Sequence, residues 1–460
     1  MSRLIAVSNR TSAGNPGAGG LAVALRASMA GTDGVWVGWS GKIYDFPSQR
    51  ARRLEEDGLN YALIDLAKPE FDGFYLGYSN AALWPVLHNR LDLARFEPED
   101  FRAYQRVNAR FAETVRGIAR DDDVVWVHDF HLLLMARSLR AMGVESRIGI
   151  FLHTPFPAPD VFRAVPGHRD LGAGLCAHDL IGVQTRTDLR NLARYLAEEF
   201  GAEATGPADG HRYRVGGRTV RLLHCPIGLD AGEVAAMAVT KRARKAARKI
   251  SRLLGKRDLV LGVDRLDYSK GLPQRFEGLA TLFDQNPDRH GSFQFTQVAP
   301  PSRADVQEYI DLRETLDRLA GRINGDYGDL DWVPIRYLAR GYGRDQLAGL
   351  YRLARVALVT PLQDGMNLVA KEFVAAQDPD DPGVLVLSRF AGAAEQMELG
   401  GDGALIINPH DSGAIAEATL RALDMDVGER RERWAALWEG VREHDIHWWG
   451  GRYLDALREG

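Results

Sequence analysis

One feature constrains this chain most: a short β-rich apolar run, then a polar or glycine-bearing loop, then a longer stretch of helical periodicity, repeated from end to end. In the first half the runs are Leu4–Val7, Val124–Val127, Ile148–Leu152, Leu180–Val183 and Val220–Leu223. In the second half they are Leu259–Val263, Phe293–Val298, Val333–Tyr337, Val356–Val359, Val384–Leu387 and Ala404–Ile407. Helical spacing fills the intervals, as at His131–Met142 and Ile415–Leu423. Strands that are continuously apolar and separated by helices form parallel sheets covered on both faces. The two series predict an α/β protein of two doubly wound parallel-sheet domains. Their join is expected near residues 229–257, where Ala231–Arg257 reads as one helix with no strand-like run.

Composition narrows the partners. With 45% hydrophobic and 26% charged residues the chain is of ordinary globular type, which excludes disorder and a disulfide scaffold. A net charge of −4 supplies no general attraction for nucleic acid. Lys241–Arg257 carries nine Lys or Arg and no acid. It lacks aromatic residues for base stacking and so reads as a solvated helix face. No apolar run approaches the ~20 residues that cross a bilayer, and Leu4–Val7 is too short for a signal-peptide core. Cys176 and Cys225 fit no CxxC or zinc spacing and are expected to be reduced core thiols, as in a cytoplasmic protein.

Doubly wound sheets bind ligands beyond the carboxyl ends of their strands, so the residues directly after each run are the ones to inspect. Gly17–Ala22 fits GxGxxA, but too many residues separate it from the preceding strand for a dinucleotide turn. It reads as a glycine loop that closes over a ligand. His128-Asp129-Phe130-His131 and His153-Thr-Pro-Phe-Pro157 each follow a strand of the first series, bringing Asp129 and His153 to the edge of the first sheet. A metal site there has too few ligands to be favoured. Arg265 and Lys270, in the loop after the first strand of the second series, suit phosphate recognition. Asp364-Gly365-Met366-Asn367 precedes a helix whose first N–H groups, at Leu368 and Val369, would face an anion. Glu372 lies one turn on, where ribose hydroxyls could be held. Acid, glycine, helix N-terminus and acid at this spacing point to a nucleotide-sugar.

At these residues the chain resembles the trehalose-6-phosphate synthases, retaining glycosyltransferases of the two-Rossmann-domain (GT-B) architecture. The likeness runs nearly end to end. It includes Ser8–Arg10, Ala18–Leu21, Gly38–Gly41, Tyr78–Pro85, His128–His131, Phe151–Pro157, Arg265–Gly271, Ala299–Arg303, Gly321–Gly325, Asp364–Glu372 and Ser388–Ala394. The resemblance implies an acceptor domain over 1–232, a nucleotide-sugar domain over 233–440 facing it across a cleft, and a C-terminal helix, 441–460, crossing back to the first. It implies that Arg10, Tyr75, Trp84 and Arg303 hold glucose 6-phosphate while Trp39 shapes the pocket. Asp129 and His153 would lie at the reaction centre, with Arg265 and Lys270 on the donor diphosphate. Asp364, Gly365, Met366 and Asn367 would bind the donor glucose, with Leu368, Val369 and Glu372 on phosphate and ribose. Gly20 would close over the donor. No metal or cofactor is implied, no nucleic acid or membrane partner, and self-association into a homo-oligomer is.

The implied reaction moves glucose from UDP-glucose to glucose 6-phosphate with retention. Ribose and diphosphate contacts by themselves leave ADP or GDP open as the nucleotide. A same-fold enzyme with another phosphorylated acceptor, and a silent binding protein, are the competing readings. Retention of the charged set speaks against the silent protein. A shorter Asn9–Gly20 loop and Thr154, where an aliphatic residue is common, are the departures from the family pattern.

Overall fold

The apolar runs become strands within three residues of their expected bounds. A computed structural model describes all residues except 1–2, 14–19, 30–31, 49, 208–209, 303–305 and 460. It divides into two compact units, Met1–Ile227 with Ile446–Gly460, and Gly228–Asp445. These divisions lie a few residues from 232/233 and 440/441.

The first unit is built on β1 (Leu4–Arg10), β2 (Val35–Tyr44), β3 (Arg52–Glu56), β4 (Leu59–Ala67), β5 (Val124–His128), β6 (Arg147–Phe151), β7 (Leu180–Val183), β8 (Glu203–Thr205), β9 (Arg212–Val215) and β10 (Arg218–His224). They form one sheet in the order β3-β4-β2-β1-β5-β6-β7-β10-β9-β8. Its centre is parallel, and β3, β9 and β8 pair antiparallel at the two edges. The expected parallel sheet is thus present, with antiparallel strands added at its edges. The edge strands are short and charged, as edges that resist further pairing usually are. β3 and β4 are joined through Asp57-Gly58, both at positive φ (52° and 72°), the geometry of a two-residue hairpin turn.

The second unit has six parallel strands: β11 (Asp258–Val263), β12 (Phe293–Val298), β13 (Ile335–Leu338), β14 (Val356–Val359), β15 (Val384–Ser388) and β16 (Leu405–Ile407). Their order, β13-β12-β11-β14-β15-β16, is that of a doubly wound nucleotide-binding sheet. In each sheet the parallel strands are laid down outward on both sides of one place, between β1 and β5 and between β11 and β14. Crossover helices leave a crevice at such a point.

Ala231–Arg257, expected as one helix, is two: Ala231–Ala238 and Lys241–Leu254. Thr240 is the reason, since its hydroxyl accepts the N–H of Ala243 and caps a new start. His131–Met142 likewise resolves into a 3-10 turn, Phe130–Leu132, and a helix, Met135–Ala141. Phe71–Leu83 winds as a π-helix, a form frequent at functional sites. The last helix, Ile446–Glu459, belongs to the first unit. Trp449 and Tyr453 are fully buried there, against Trp126 and Phe151. Cys225 is buried with its Sγ 3.7 Å from the Trp449 carbonyl oxygen. Cys176 is only half-buried, so one of the two thiols is short of the core. No helix among the described residues is long and apolar enough to cross a membrane.

Candidate active site

In the first unit Asp129 directly follows β5 on a backbone that non-glycine residues seldom adopt, φ 71° and ψ 172°. Its N–H donates to the Phe151 carbonyl at 2.8 Å. Its Oδ1 accepts the N–H groups of His153 (3.1 Å) and Thr154 (3.3 Å) and the Thr154 hydroxyl (3.3 Å). Asp129 thus ties the end of β5 to the turn after β6, and the unusual threonine at 154 contributes a donor. Burial disfavours the carboxylate more than these donors favour it, and the carboxyl is pushed up to about 6. Burial likewise pushes the His153 imidazole down to about 3. The result is a neutral imidazole beside a carboxyl that titrates within two pH units of neutrality.

Arg10 ends β1, exposed, with its guanidinium carbon 5.6 Å from the centre of the Trp39 ring. Gly41, at φ 86°, makes room: a Cβ there would stand 2.6 Å from a guanidinium nitrogen. Tyr75, on the π-helix, lies 5.9 Å from Trp39 and stacks on His131 at 6.1 Å with 12° between the rings. Arg10, Trp39 and Tyr75 therefore form one row leading to the segment after β5. Trp84 does not join that row. It is buried against His88 and Phe130, one residue beyond Asp129. Gly20 is the exposed first residue of the helix Gly20–Met29. The glycines before it and Arg303 lie outside the described residues.

In the second unit the loops after β11 and β14 are neighbours because those strands are, and the Leu362 N–H donates to the Ser269 carbonyl at 2.7 Å. Lys270 and Asp364, 94 residues apart, meet with Nζ 2.5 Å from Oδ2, and the Asn367 side-chain amide donates to the same oxygen at 3.0 Å. Asn367, at φ 72°, stands before the helix Leu368–Ala376. Leu368 and Val369 open that helix, so their N–H groups have no carbonyl partner within it and face outward along its dipole. The loop after β15 clasps this segment. Gly392 is essential to the fit, because a Cβ there would lie 1.8 Å from the Gly365 carbonyl oxygen, while the Ala393 N–H donates to the Met366 carbonyl at 2.8 Å. Arg265 is exposed, 3.9 Å from Asp267. Glu372 accepts the Tyr351 hydroxyl at 3.2 Å, and burial raises its carboxyl.

Two residues support the site: Arg275, which lies outside the motifs, and His128, which lies in one of them but is given no role there. Arg275 is fully buried and donates to Asp264 (2.7 Å), Gln297 (2.7 Å) and Thr360 (2.9 Å), binding the ends of β11, β12 and β14 into one block. Its signal was an arginine inside the apolar stripe Leu272, Phe276, Leu279. His128 ends the run of β5, buried, with Nδ1 3.2 Å from Nε2 of His153. Among the described residues no three or more His, Cys, Asp or Glu side chains gather as a metal site would require.

Comparison with known proteins identifies the family and the fold. The model of glycosyltransferase family 20 matches residues 4–459. The trehalose-6-phosphate synthase of Sinorhizobium fredii is 44% identical over 99% of this chain and 98% of its own length. That of Klebsiella pneumoniae is 43% identical over 100% of this chain and 95% of its own. Among solved structures, an α,α-trehalose-phosphate synthase (UDP-forming) from Burkholderia xenovorans in complex with glucose-6-phosphate superposes with a TM-score of 0.94 at 45% identity, covering 100% of both chains. A structure described as trehalose-6-phosphate from E. coli bound with UDP-2-fluoro glucose superposes with a TM-score of 0.95 at 41% identity, over 100% of this chain and 99% of that one. By a match that spans almost every residue, the chain belongs to glycosyltransferase family 20.

Proposed function

We propose that the chain transfers glucose from UDP-glucose to the anomeric hydroxyl of glucose 6-phosphate with retention, giving α,α-trehalose 6-phosphate and UDP. The observation that carries this is full-length likeness, above 40% identity, to solved structures bound to glucose-6-phosphate and to UDP-2-fluoro glucose. The second unit is the donor side. Arg265, Lys270 and the amides of Leu368 and Val369 receive the diphosphate, Glu372 the ribose, and Asp364 with the backbone of 365–367 the donor glucose. The first unit is the acceptor side, where Arg10 and Arg303 take the phosphate, Tyr75 and Trp84 the sugar, and Trp39 shapes the pocket. Asp129 and His153 contact the reacting sugars, and Gly20 belongs to the loop that closes over the donor.

As the bond from glucose C1 to the diphosphate breaks, positive charge develops on the ring and negative charge on the leaving oxygen. Lys270, Arg265 and the helix N-terminus supply that oxygen with charge that needs no reorganisation. Close paired carboxylates of the retaining-hydrolase kind are not required. The acceptor hydroxyl attacks from the face the diphosphate leaves and gives its proton to the departing phosphate oxygen. Two free thiols accord with work in the cytoplasm. Homo-oligomerisation, part of the same reading, is measured by sedimentation of the purified chain.

The test mixes protein, glucose 6-phosphate and equimolar UDP-, ADP- and GDP-glucose, with products read by mass spectrometry and NMR. An α,α-linked disaccharide phosphate with UDP released first is expected. Lys270→Ala should lower kcat by roughly 10²–10³, the usual loss for one preorganised donor. Nucleotide release without the disaccharide, or a glycosyl adduct trapped on Asp129 or Asp364, would sink the reading.

A further inference from the structure

His128 takes no part in the ligand contacts above, yet among the described residues it is the one side chain that touches the His153 ring by a hydrogen bond. The two rings stack with centroids 5.5 Å apart, and Nδ1 of His128 lies 3.2 Å from Nε2 of His153. One proton must sit between these nitrogens, and two arrangements are available. In the first, His128 carries its hydrogen on Nδ1 and donates it, leaving its Nε2 as a bare lone pair. In the second, His153 donates from Nε2, and His128 must hold its own hydrogen on Nε2.

The surroundings discriminate between the two. Nε2 of His128 is buried and has no hydrogen-bond partner among the described residues. A buried N–H without an acceptor is costlier and rarer than an unmet acceptor. The ring is enclosed by Trp126 at 4.5 Å and Trp449 at 6.3 Å between centroids. The Trp449 indole N–H already lacks an acceptor, so a further N–H in that cluster would be worse placed than a lone pair. A doubly protonated ring is disfavoured too, since burial and the neighbouring imidazole both lower the His128 basicity.

We propose that His128 is a positioning residue: by donating Nδ1–H to Nε2 of His153 it holds His153 in the tautomer whose hydrogen is on Nδ1, so that His153 meets the sugar as an N–H donor. The Nδ1 atom of His153 makes no hydrogen bond to any described residue, and the residue is half-buried, so this donor is left for a ligand. The role of His153 towards sugar rests on the function proposed above; the tautomer itself does not. The C-terminal helix takes part, because Trp449 also packs on His153, at 5.9 Å.

The experiment is two-bond 1H–15N correlation on the full-length protein labelled at histidine, which separates the two neutral tautomers and the imidazolium. His153 should be Nδ1-protonated in the wild type. His128→Asn, whose side-chain amide nitrogen reaches about where Nδ1 stood, should keep that state. His128→Phe keeps the ring among its aromatic neighbours and removes the donor, so His153 should revert to the Nε2-protonated form common in water. In kinetics His128→Phe should lower kcat roughly tenfold to a hundredfold, the scale for groups that orient a functional histidine, and His128→Asn should restore most of it. An Nε2-protonated His153 in the wild type, or no change of tautomer in His128→Phe, overturns the proposal. Absence of the disaccharide product with the spectra as expected would instead count against the proposed reaction and leave the tautomer standing.

Discussion

Asp129 shows how one residue can be held in an uncomfortable state by its neighbours. Its φ of 71° and its three donors orient the carboxyl, and burial keeps it protonated up to about 6. Between the ordinary value of 3.8 and that point the folded chain holds a proton the unfolded chain has lost. Stability therefore falls as pH rises across this window, and above it the fold carries a buried charge. Asp129→Asn retains an oxygen for the same donors without the charge. It should raise Tm relative to wild type at pH 8 by more than at pH 4, while abolishing transfer. Thermal melts at the two pH values check this, and an equal difference at both would contradict it.

At the scale of elements, positions are set by what joins loops that the sequence keeps far apart. Arg275 has no exposure and bridges three strand ends through Asp264, Gln297 and Thr360. Arg275→Met leaves Asp264 a buried carboxylate without its partner, which costs about 3–5 kcal/mol. Denaturant unfolding should show that loss, and Asp264→Leu added to it should recover a large part. The basic helix Lys241–Leu254 presents the opposite problem. Its first turn holds Lys241, Arg242 and Arg244 with no acid, against the helix dipole, and Arg242 finds Asp345 at 3.2 Å. Lys241→Glu should stabilise the protein by ~0.3–1 kcal/mol. The gain, measured as a shift in Tm, should fade by about 1 M salt, where screening extends over only ~3 Å.

For the whole molecule, the two units differ in how complete their chain segments are. Gly228–Asp445 carries all six strands of its sheet in one continuous stretch. The first unit depends on residues that arrive more than two hundred positions later. Trp449 and Tyr453 are fully buried in it, and a Cβ at Gly149 would stand 2.4 Å from the Tyr453 hydroxyl, so the sheet is cut to receive this helix. A fragment of residues 228–445 should unfold cooperatively by itself. A fragment of residues 1–227 should not, because losing one buried aromatic side chain alone costs about 3–5 kcal/mol. A peptide of residues 446–460 should restore its cooperative melt. Calorimetry of the fragments, separately and mixed, decides it.

The strand runs and the order of the loop motifs were legible along the chain, because both are local. An apolar run names a buried parallel strand, and polar residues after it name a ligand-facing loop. So Asp129, His153, Arg265, Lys270 and Asp364 could be picked out one by one. Five strands of the first sheet were not among those runs: β2 and β4, whose apolar residues are interrupted by polar ones, and the edge strands β3, β8 and β9, which are short and charged; nor was the π-helix that carries Tyr75. The break at Thr240 could have been read from the residue type but was hidden within a continuous helical pattern. Which of these residues meet is set by the packing of the sheets. Lys270 reaches Asp364 because β11 lies beside β14, and His153 reaches Asp129 and His128 because β5 lies beside β6. Strand order depends on contacts between distant segments, and so do the burial and charge that set the protonation of each group. The sequence specifies the side chains; their neighbours, and through them their chemistry, exist only once the sheets have formed.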